Sequence, residues 1–221
     1  MCGIVACIGV GDPVERLLEG LRNLEYRGYD SAGVAVANDG GLDVHKRAGE
    51  VEQLAASLGR GVGPATGDAG IGHTRWSTHG APTDANAHPH ADCRGQLAVV
   101  HNGIIENHDD LRRRLTAAGH TFTSETDTEV VPHLVEEALT DGATVEAAFR
   151  RAIAAIEGSY AVVLLHERAD AVYAAREGSP LVFGLGDDGY YLASDVPAFL
   201  ERTDRVLYLE DGDVVRADAS G

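Results

Sequence analysis

The 221-residue sequence is 44% hydrophobic and 24% charged, proportions that exclude a disordered or collagen-like chain and fit one large domain. Eighteen basic against 35 acidic residues leave a formal net charge of −17 at pH 7, so a nucleic-acid backbone or an anionic membrane surface would be repelled across most of the face. No apolar run approaches the roughly 18–20 residues that span a bilayer, and no basic leader precedes an apolar stretch; the expected setting is soluble and cytoplasmic, with neither nucleic acid nor membrane as partner.

Residues 2–10, CGIVACIGV, predict a short buried strand. From Asp12-Pro13 the apolar positions become Val14, Leu17, Leu18 and Leu21, three and four apart, with Pro13 suited to a first helical turn; this predicts an amphipathic helix ending near Leu24. Residues 32–48 read as two antiparallel strands turning at Asn38-Asp39-Gly40-Gly41, which supplies the positive φ of a tight hairpin. A helix near 50–58, a Gly-rich loop over 59–70 and a strand around Ile71 follow. The long aperiodic segment 76–95, rich in His, Pro, Thr and Asn, is of a length usually tied to function or disorder. A strand at 96–101 precedes a helix at about 108–118 that ends at Gly119. Helices at about 127–140 and 144–156 come next, the second with Thr144 as N-cap. Residues 159–216 read as an antiparallel meander broken at Asp187-Asp188-Gly189 and Glu210-Asp211-Gly212. No linker or internal repeat divides these pieces, so a single α+β domain over 1–221 is expected.

Lys46 is the only lysine among the basic residues. An acidic, lysine-poor surface suits a salt-rich cytoplasm, where counterions screen self-repulsion; codon bias explains it equally well. The three cysteines, Cys2, Cys7 and Cys93, are too few and odd in number for a disulfide framework. Two signals carry little weight. Gly184-Leu-Gly186-Asp-Asp-Gly189 matches G-x-G-x-x-G, but the motif must open a helix, and Tyr190-Tyr191-Leu192 resumes a strand. His88-Pro-His90-Ala-Asp-Cys93 offers imidazoles and a thiol without the paired spacing of a closed zinc site. Neither a cofactor nor a metal is expected.

Cys2 is the first residue after the initiator, and its small side chain permits removal of Met1. A freed Cys2 carries a thiol beside an α-amine whose reference pKa is about 7.7–8.0, so nucleophile and base sit on one residue. Asn102 and Gly103, in His101-Asn102-Gly103, offer a side-chain amide and an approachable backbone N–H, the equipment of an oxyanion hole. Arg75, in His73-Thr-Arg75-Trp76-Ser-Thr78-His79-Gly80, can hold a carboxylate in a bidentate fork. Asp127, in Ser124-Glu-Thr-Asp127-Thr-Glu129, can accept from an ammonium.

Together these stretches resemble class II glutamine amidotransferases. The matching residues are Met1-Cys2-Gly3-Ile4-Val5, Leu24-Glu25-Tyr26-Arg27-Gly28-Tyr29-Asp30-Ser31-Ala32-Gly33, the segment 73–80, Asn86-Ala-His88-Pro-His90, His101-Asn102-Gly103-Ile104-Ile105-Glu106-Asn107-His108, Ser124 to Glu129, and Gly178-Ser179-Pro180-Leu181. The stretch at 24–33 points within that class to the hexosamine-forming branch, whose acceptor is fructose 6-phosphate. The resemblance implies an N-terminal-nucleophile hydrolase fold, a four-layer αββα sandwich of two antiparallel sheets. It implies Cys2 as nucleophile with its freed amine as base, Asn102 and Gly103 as oxyanion hole, Arg75 on the glutamine carboxylate and Asp127 on its ammonium. Thr78 and His79 would lie in the loop that closes over substrate, Trp76 would gate ammonia, Arg27 would support the nucleophile end, and His88 would stabilise a loop. Glutamine is the implied substrate, and sugar-isomerase domains of a longer enzyme the implied partners. Because the chain stops at Ala217-Asp-Ala-Ser-Gly221, it reads as an excised glutaminase domain or fragment. A homodimer is compatible with this reading. Two rivals stay open: a glutaminase domain with another acceptor, such as that of a phosphoribosyl-pyrophosphate amidotransferase, and a glutamine-binding regulatory module without turnover.

Overall fold

In the computed structural model the described residues are 2–38, 40–58, 67–76, 81–168 and 171–221. Strand β1 (Gly3–Ile8) is buried along its whole length, and its period of two splits it between layers. Ile4, Ala6 and Ile8 enter one hydrophobic cluster, while Val5 and Cys7 enter another. A strand with both faces apolar needs cover on both sides, and the rest of the chain supplies it.

Among the described residues, β1 lies inside a seven-stranded sheet with β2 (Ser31–Asn38), β3 (Gly41–Ala48), β4 (Ala69–Arg75), β9 (Val182–Leu185), β10 (Tyr190–Ala193) and β11 (Val206–Tyr208), in the order β11-β9-β10-β1-β4-β2-β3. A five-stranded sheet, β12-β8-β7-β6-β5, is built from β5 (His90–Ala91), β6 (Leu97–Ile105), β7 (Gly158–His166), β8 (Val172–Glu177) and β12 (Val214–Ala217). Neighbouring strands pair antiparallel throughout. Ile4, Ile71, Val100, Val163 and Leu165 fill the space between the sheets. Helices α1 (Pro13–Asn23) and α2 (Val51–Leu58) cover the outer face of the larger sheet through Leu17, Leu21 and Leu54. Helices α3 (His108–Ala117), α4 (Val130–Thr140) and α5 (Val145–Ala155) cover the smaller through Leu115, Val131, Val135 and Phe149. The result is the expected αββα sandwich. No helix among the described residues is long and apolar enough to cross a membrane.

Local chemistry sets the element ends. The Asp12 carboxylate accepts from Glu15 N–H at 3.1 Å with Pro13 in the first turn of α1, and Thr144 caps α5 by accepting from Ala147 N–H at 3.2 Å, each satisfying an N–H the helix cannot. The hairpin of β2 and β3 closes Asn38 against Gly41. Gly186 and Gly189 lie in the turn between β9 and β10, and Gly184 in β9 itself opposite Tyr191, as the resumed strand requires.

Three expectations need correction. The strand placed at 96–101 runs on to Ile105, so Asn102 and Gly103 lie within β6 and not after it. The helix placed from 127 starts at Val130, leaving Asp127 in the preceding turn. The segment 159–216 is not one meander: β7, β8 and β12 belong to one sheet and β9, β10 and β11 to the other. Strand alternation reports two faces and not which sheet a strand joins, and the crossing falls at Gly178-Ser179-Pro180, where Gly178 adopts φ +73°. Of the Gly-rich segment 59–70, residues 59–66 lie outside the described residues, and Ala69 and Gly70 already belong to β4.

Among the described acidic side chains, Asp92, Glu129 and Glu136 are buried; the rest of the negative charge reaches solvent. With a net charge of −17, self-repulsion is relieved by counterions. The melting temperature should rise as potassium chloride goes from low to molar concentration, and a flat or falling curve would make codon bias the better account of the composition.

Candidate active site

β1 and β4 run antiparallel with Gly3 opposite Thr74, so the chain ahead of β1 meets the chain leaving β4. Cys2 is thereby set against Trp76: its Sγ accepts from Trp76 N–H at 3.3 Å and lies 3.7 Å from the Trp76 carbonyl. Two side chains grip the Cys2 carbonyl. Arg27 Nε donates to it at 3.1 Å from the single helical turn Glu25–Arg27, and Asn102 Nδ2 donates at 3.1 Å from the other sheet. Arg27 is anchored in turn by Asp195, Nη1 to Oδ2 at 3.0 Å. Burial pushes the Cys2 thiol above its ordinary value, opposed by the Trp76 N–H.

The Asn102 orientation follows from its partners. His73 Nε2 lies 3.1 Å from the His101 carbonyl and 3.0 Å from Asn102 Oδ1. Two acceptors require Nε2 to carry the proton, and the amide then turns Nδ2 toward Cys2. One N–H of that amide bonds the Cys2 carbonyl and a second remains. Gly103 adopts φ +123°, and a Cβ there would sit 1.9 Å from the Ser159 carbonyl, so only glycine fits this approach of β6 to β7.

A narrow cleft of about 30 Å³ opens in front of Cys2, lined also by Arg75, Trp76, His88, His101, Gly103, Thr126, Asp127 and Thr128. Asn102 is bonded to Cys2 just behind this lining. Arg75 is buried and donates to the Ala81 carbonyl at 3.3 Å. Asp127 Oδ2 accepts from Ile105 N–H at 2.8 Å. Trp76 is half exposed, edge-on to Tyr29 with ring centroids 5.6 Å apart. Cys2, Asn102, Gly103, Arg75, Trp76, Asp127, Arg27 and His88 thus gather at one end of the two sheets. Thr78 and His79 lie outside the described residues.

Four histidines are buried at the cleft wall and behind it: His88 and His101 line it, and His73 and His90 pack with them. His88 stacks on His73 at 4.1 Å and meets His90 edge-on at 4.7 Å. His88 Nδ1 accepts from His101 N–H at 3.2 Å, and Nε2 lies 3.4 Å from Thr128 Oγ1. His90 Nε2 lies 3.0 Å from Thr126 Oγ1. Burial pushes His73 down to about 3 and holds His88 and His90 well below the usual imidazole range; His101 is lowered too, against the pull of Asp127. These rings are neutral spacers. The loop carrying His88 presses on β2, where a Cβ at Gly33 would come within 2.1 Å of the His88 carbonyl.

Cys93, read beside His88 and His90 in sequence, has other partners: its Sγ contacts His120 and His133. Asp195 and Thr128 escaped the sequence reading. Asp195 stands directly before the turn Val196–Ala198 and caps Val196 N–H at 2.9 Å, so its Asp-x-Pro pattern signals a cap and says nothing of Arg27.

The glutamine amidotransferase domain profile matches residues 73–201, more than half of the chain. The chain belongs to the glutamine amidotransferase domain family. This amidotransferase domain is 55% identical over 221 residues to a glutamine–fructose-6-phosphate aminotransferase (isomerizing) of Thermus thermophilus, covering 100% of the chain and 36% of that protein. It is 53% identical over 215 residues to the aminotransferase of the same name from Halobacterium salinarum, covering 97% and 35%. The chain therefore spans about a third of the length of these curated relatives. Among solved structures, the Bacillus subtilis glutamine phosphoribosylpyrophosphate amidotransferase complexed with ADP and GMP superposes with a TM-score of 0.85 at 26% identity, over 100% of this chain and 48% of that one. The architecture of the amidotransferase domain is the N-terminal-nucleophile hydrolase fold expected from its sequence.

Proposed function

We propose that this chain hydrolyses the side-chain amide of glutamine to glutamate and ammonia, with Cys2 as nucleophile and its α-amine, freed by removal of Met1, as base. The observation that carries this reading is the double grip of Arg27 and Asn102 on the Cys2 carbonyl, which fixes the reacting residue by its backbone and leaves thiol and amine free to react. Both hydrogen bonds of Sγ among the described residues go to Trp76 backbone atoms, and no imidazole shares them; a protonated thiol there needs a base, and the amine is adjacent.

Sγ adds to the amide carbon while the amine takes the thiol proton. The oxyanion is met by the second N–H of Asn102 and by the Gly103 N–H. The ammonium returns a proton to the leaving nitrogen, ammonia departs, and a γ-glutamyl thioester remains for water to hydrolyse with the amine again as base. Arg75 holds the substrate carboxylate, and Asp127, whose other oxygen is fixed by Ile105, holds the substrate ammonium. Trp76 gates ammonia, Arg27 supports the nucleophile end, and His88 holds its loop, while Thr78 and His79, outside the described residues, are candidates for substrate binding. In a longer protein the ammonia would pass to fructose 6-phosphate in sugar-isomerase domains. Identity of 55% and 53% to fructose-6-phosphate aminotransferases against 26% to the phosphoribosylpyrophosphate enzyme supports that acceptor.

The test is ammonia release from glutamine by the 221-residue chain, with no amino sugar formed from fructose 6-phosphate. Silence toward glutamine after Met1 removal would overturn the reading. Two variants separate the roles. Asn102→Ala should lower kcat by about 10²–10³, as single-donor deletions from oxyanion holes do, with KM little changed. Asp127→Asn should fall mainly on kcat/KM, through a charge-assisted contact worth about 1.5–3 kcal/mol. An unchanged kcat in Asn102→Ala would return Asn102 to holding the Cys2 carbonyl alone.

A further inference from the structure

On the far side of the smaller sheet, among the described residues, Cys93, His120, His133 and Glu136 turn ligand atoms toward one point, all within 4.8 Å of one another. Cys93 lies in the turn between β5 and β6, His120 follows α3, and His133 and Glu136 stand one turn apart on one face of α4. Cys93 Sγ is 3.7 Å from His120 Nδ1 and 3.6 Å from His133 Nδ1. Glu136 Oε2 is 3.0 Å from His120 Nδ1 and 3.5 Å from His133 Nδ1.

Tetrahedral zinc, with sulfur at about 2.3 Å and nitrogen or oxygen at about 2.0–2.2 Å, sets S···N edges of about 3.6 Å and N···O edges of about 3.3 Å. The four edges above lie within about 0.3 Å of those lengths before any ion is added. We propose that Cys93, His120, His133 and Glu136 bind one zinc ion in a closed, structural site separate from the glutamine cleft.

Charge and surroundings agree with the geometry. A thiolate and a carboxylate with two neutral imidazoles balance a dication, and the Cys93 proton leaves to solvent on binding. His133 Nε2 is buried without a hydrogen-bond partner and lies 3.9 Å from Glu129 Oε1. Metal on Nδ1 fixes the proton on Nε2, where it faces that carboxylate, the outer partner that orients metal-bound histidines. Glu129 is itself held by Thr123 and Ser124, whose N–H groups donate at 2.7 and 2.8 Å and whose hydroxyls donate at 2.9 and 2.6 Å. Four protein ligands leave no open position for a reacting water, which makes the ion a clamp. It would tie the β5–β6 turn and the segment after α3 to α4. A surface cavity of about 290 Å³ beside Cys93, His120 and Glu136 gives the ion its entry.

The experiment strips the chain with a chelator, equilibrates it with zinc, and measures bound metal by mass spectrometry beside the melting curve. One zinc per chain and a rise of at least about 5 °C in Tm at saturating metal are expected. Cobalt in place of zinc should give the intense visible bands of a tetrahedral site and a thiolate charge-transfer band. Cys93→Ser and His120→Gln, both toward the surface, should weaken zinc binding by more than the about 10–100-fold that loss of an outer partner costs, and Glu129→Gln should fall within that range. Cys2→Ala should keep full stoichiometry, which separates this site from the cleft thiol. Substoichiometric zinc in the parent chain, equal zinc in Cys93→Ser, or loss of zinc in Cys2→Ala would each overturn the proposal.

Discussion

Cys2→Ala should abolish ammonia release from glutamine while leaving the fold and its melting behaviour near those of the parent. The change removes one sulfur, and what it removes structurally is its two contacts with the Trp76 backbone, the N–H at 3.3 Å and the carbonyl at 3.7 Å. Arg27 and Asn102 hold the Cys2 carbonyl, a backbone atom that alanine keeps. A glutamine-like electrophile, such as a diazo-ketone analogue, should add once per processed chain at Cys2. Cys7 is sealed in the layer under α1, and burial pushes its thiol up to about 12; Cys93 has no adjoining amine. The companion experiment leaves every side chain in place and blocks only the removal of Met1. The nitrogen of Cys2 is then an amide and cannot take the thiol proton, so turnover should collapse while weak glutamine binding through Arg75 and Asp127 persists. Full activity in a preparation whose intact mass includes Met1 would falsify the mechanism.

Lowering the pH should unfold the chain well before ordinary carboxylates titrate. His73, His88, His90 and His101 are buried and held neutral, His73 down to about 3 and the others lowered by burial. Lys46 and Arg75 add repulsion against protonating His90, and Arg75 against His73 and His88, while Asp127 pulls His101 the other way. In the unfolded chain these rings titrate near about 6.5. Below that pH the unfolded state binds protons that the folded state refuses, so stability is full above pH 6.5 and falls as pH drops toward the folded values. Each such proton is worth about 1.4 kcal/mol per pH unit, and the three most depressed rings, His73, His88 and His90, together reach about 4 kcal/mol per unit, set against a typical total of about 5–15 kcal/mol. Urea unfolding measured at steps from pH 7 to pH 5 should show stability dropping with uptake of several protons. His90→Asn should remove about one of them. A stability flat across that interval would mean that these rings are not held neutral.

Much of the architecture was legible because burial alternates cleanly. CGIVACIGV reads as a two-faced strand, the Leu17 and Leu21 spacing as a helix with Asp12-Pro13 as its local start, and Thr144 as the start of α5. What strand patterns could not report is membership: Val172 and Val182 sit in similar apolar runs, yet one strand joins each sheet. The same limit governed the cleft. Cys2 and Asn102 are 100 positions apart, and no local period links them; only the family resemblance placed them together. Asp195, 168 positions from Arg27, was outside both kinds of signal. The Cys93 group escaped because its thiol and imidazoles are 27 and 40 positions apart, while the nearer His88 and His90 drew the eye. The i, i+3 pair His133 and Glu136 on α4 was its one local trace.

β1 is made before any other strand of its sheet, yet it sits between β4 and β10 and pairs Ile8 with Tyr190. Closing a contact of that span carries a large loop entropy and comes late in folding. During synthesis, therefore, the segment bearing Cys2 stays extended and unpaired on its β10 edge until nearly the whole domain has emerged. Any peptidase that trims the chain ahead of Cys2 would meet this end before the late docking of β1 against β10 completes the sheet around it. Strand order would thus place trimming ahead of the closing of β1 on β10. On ribosome-bound chains too short to include β10, the Cys2 thiol should react with a small alkylating agent faster than on chains that include that strand.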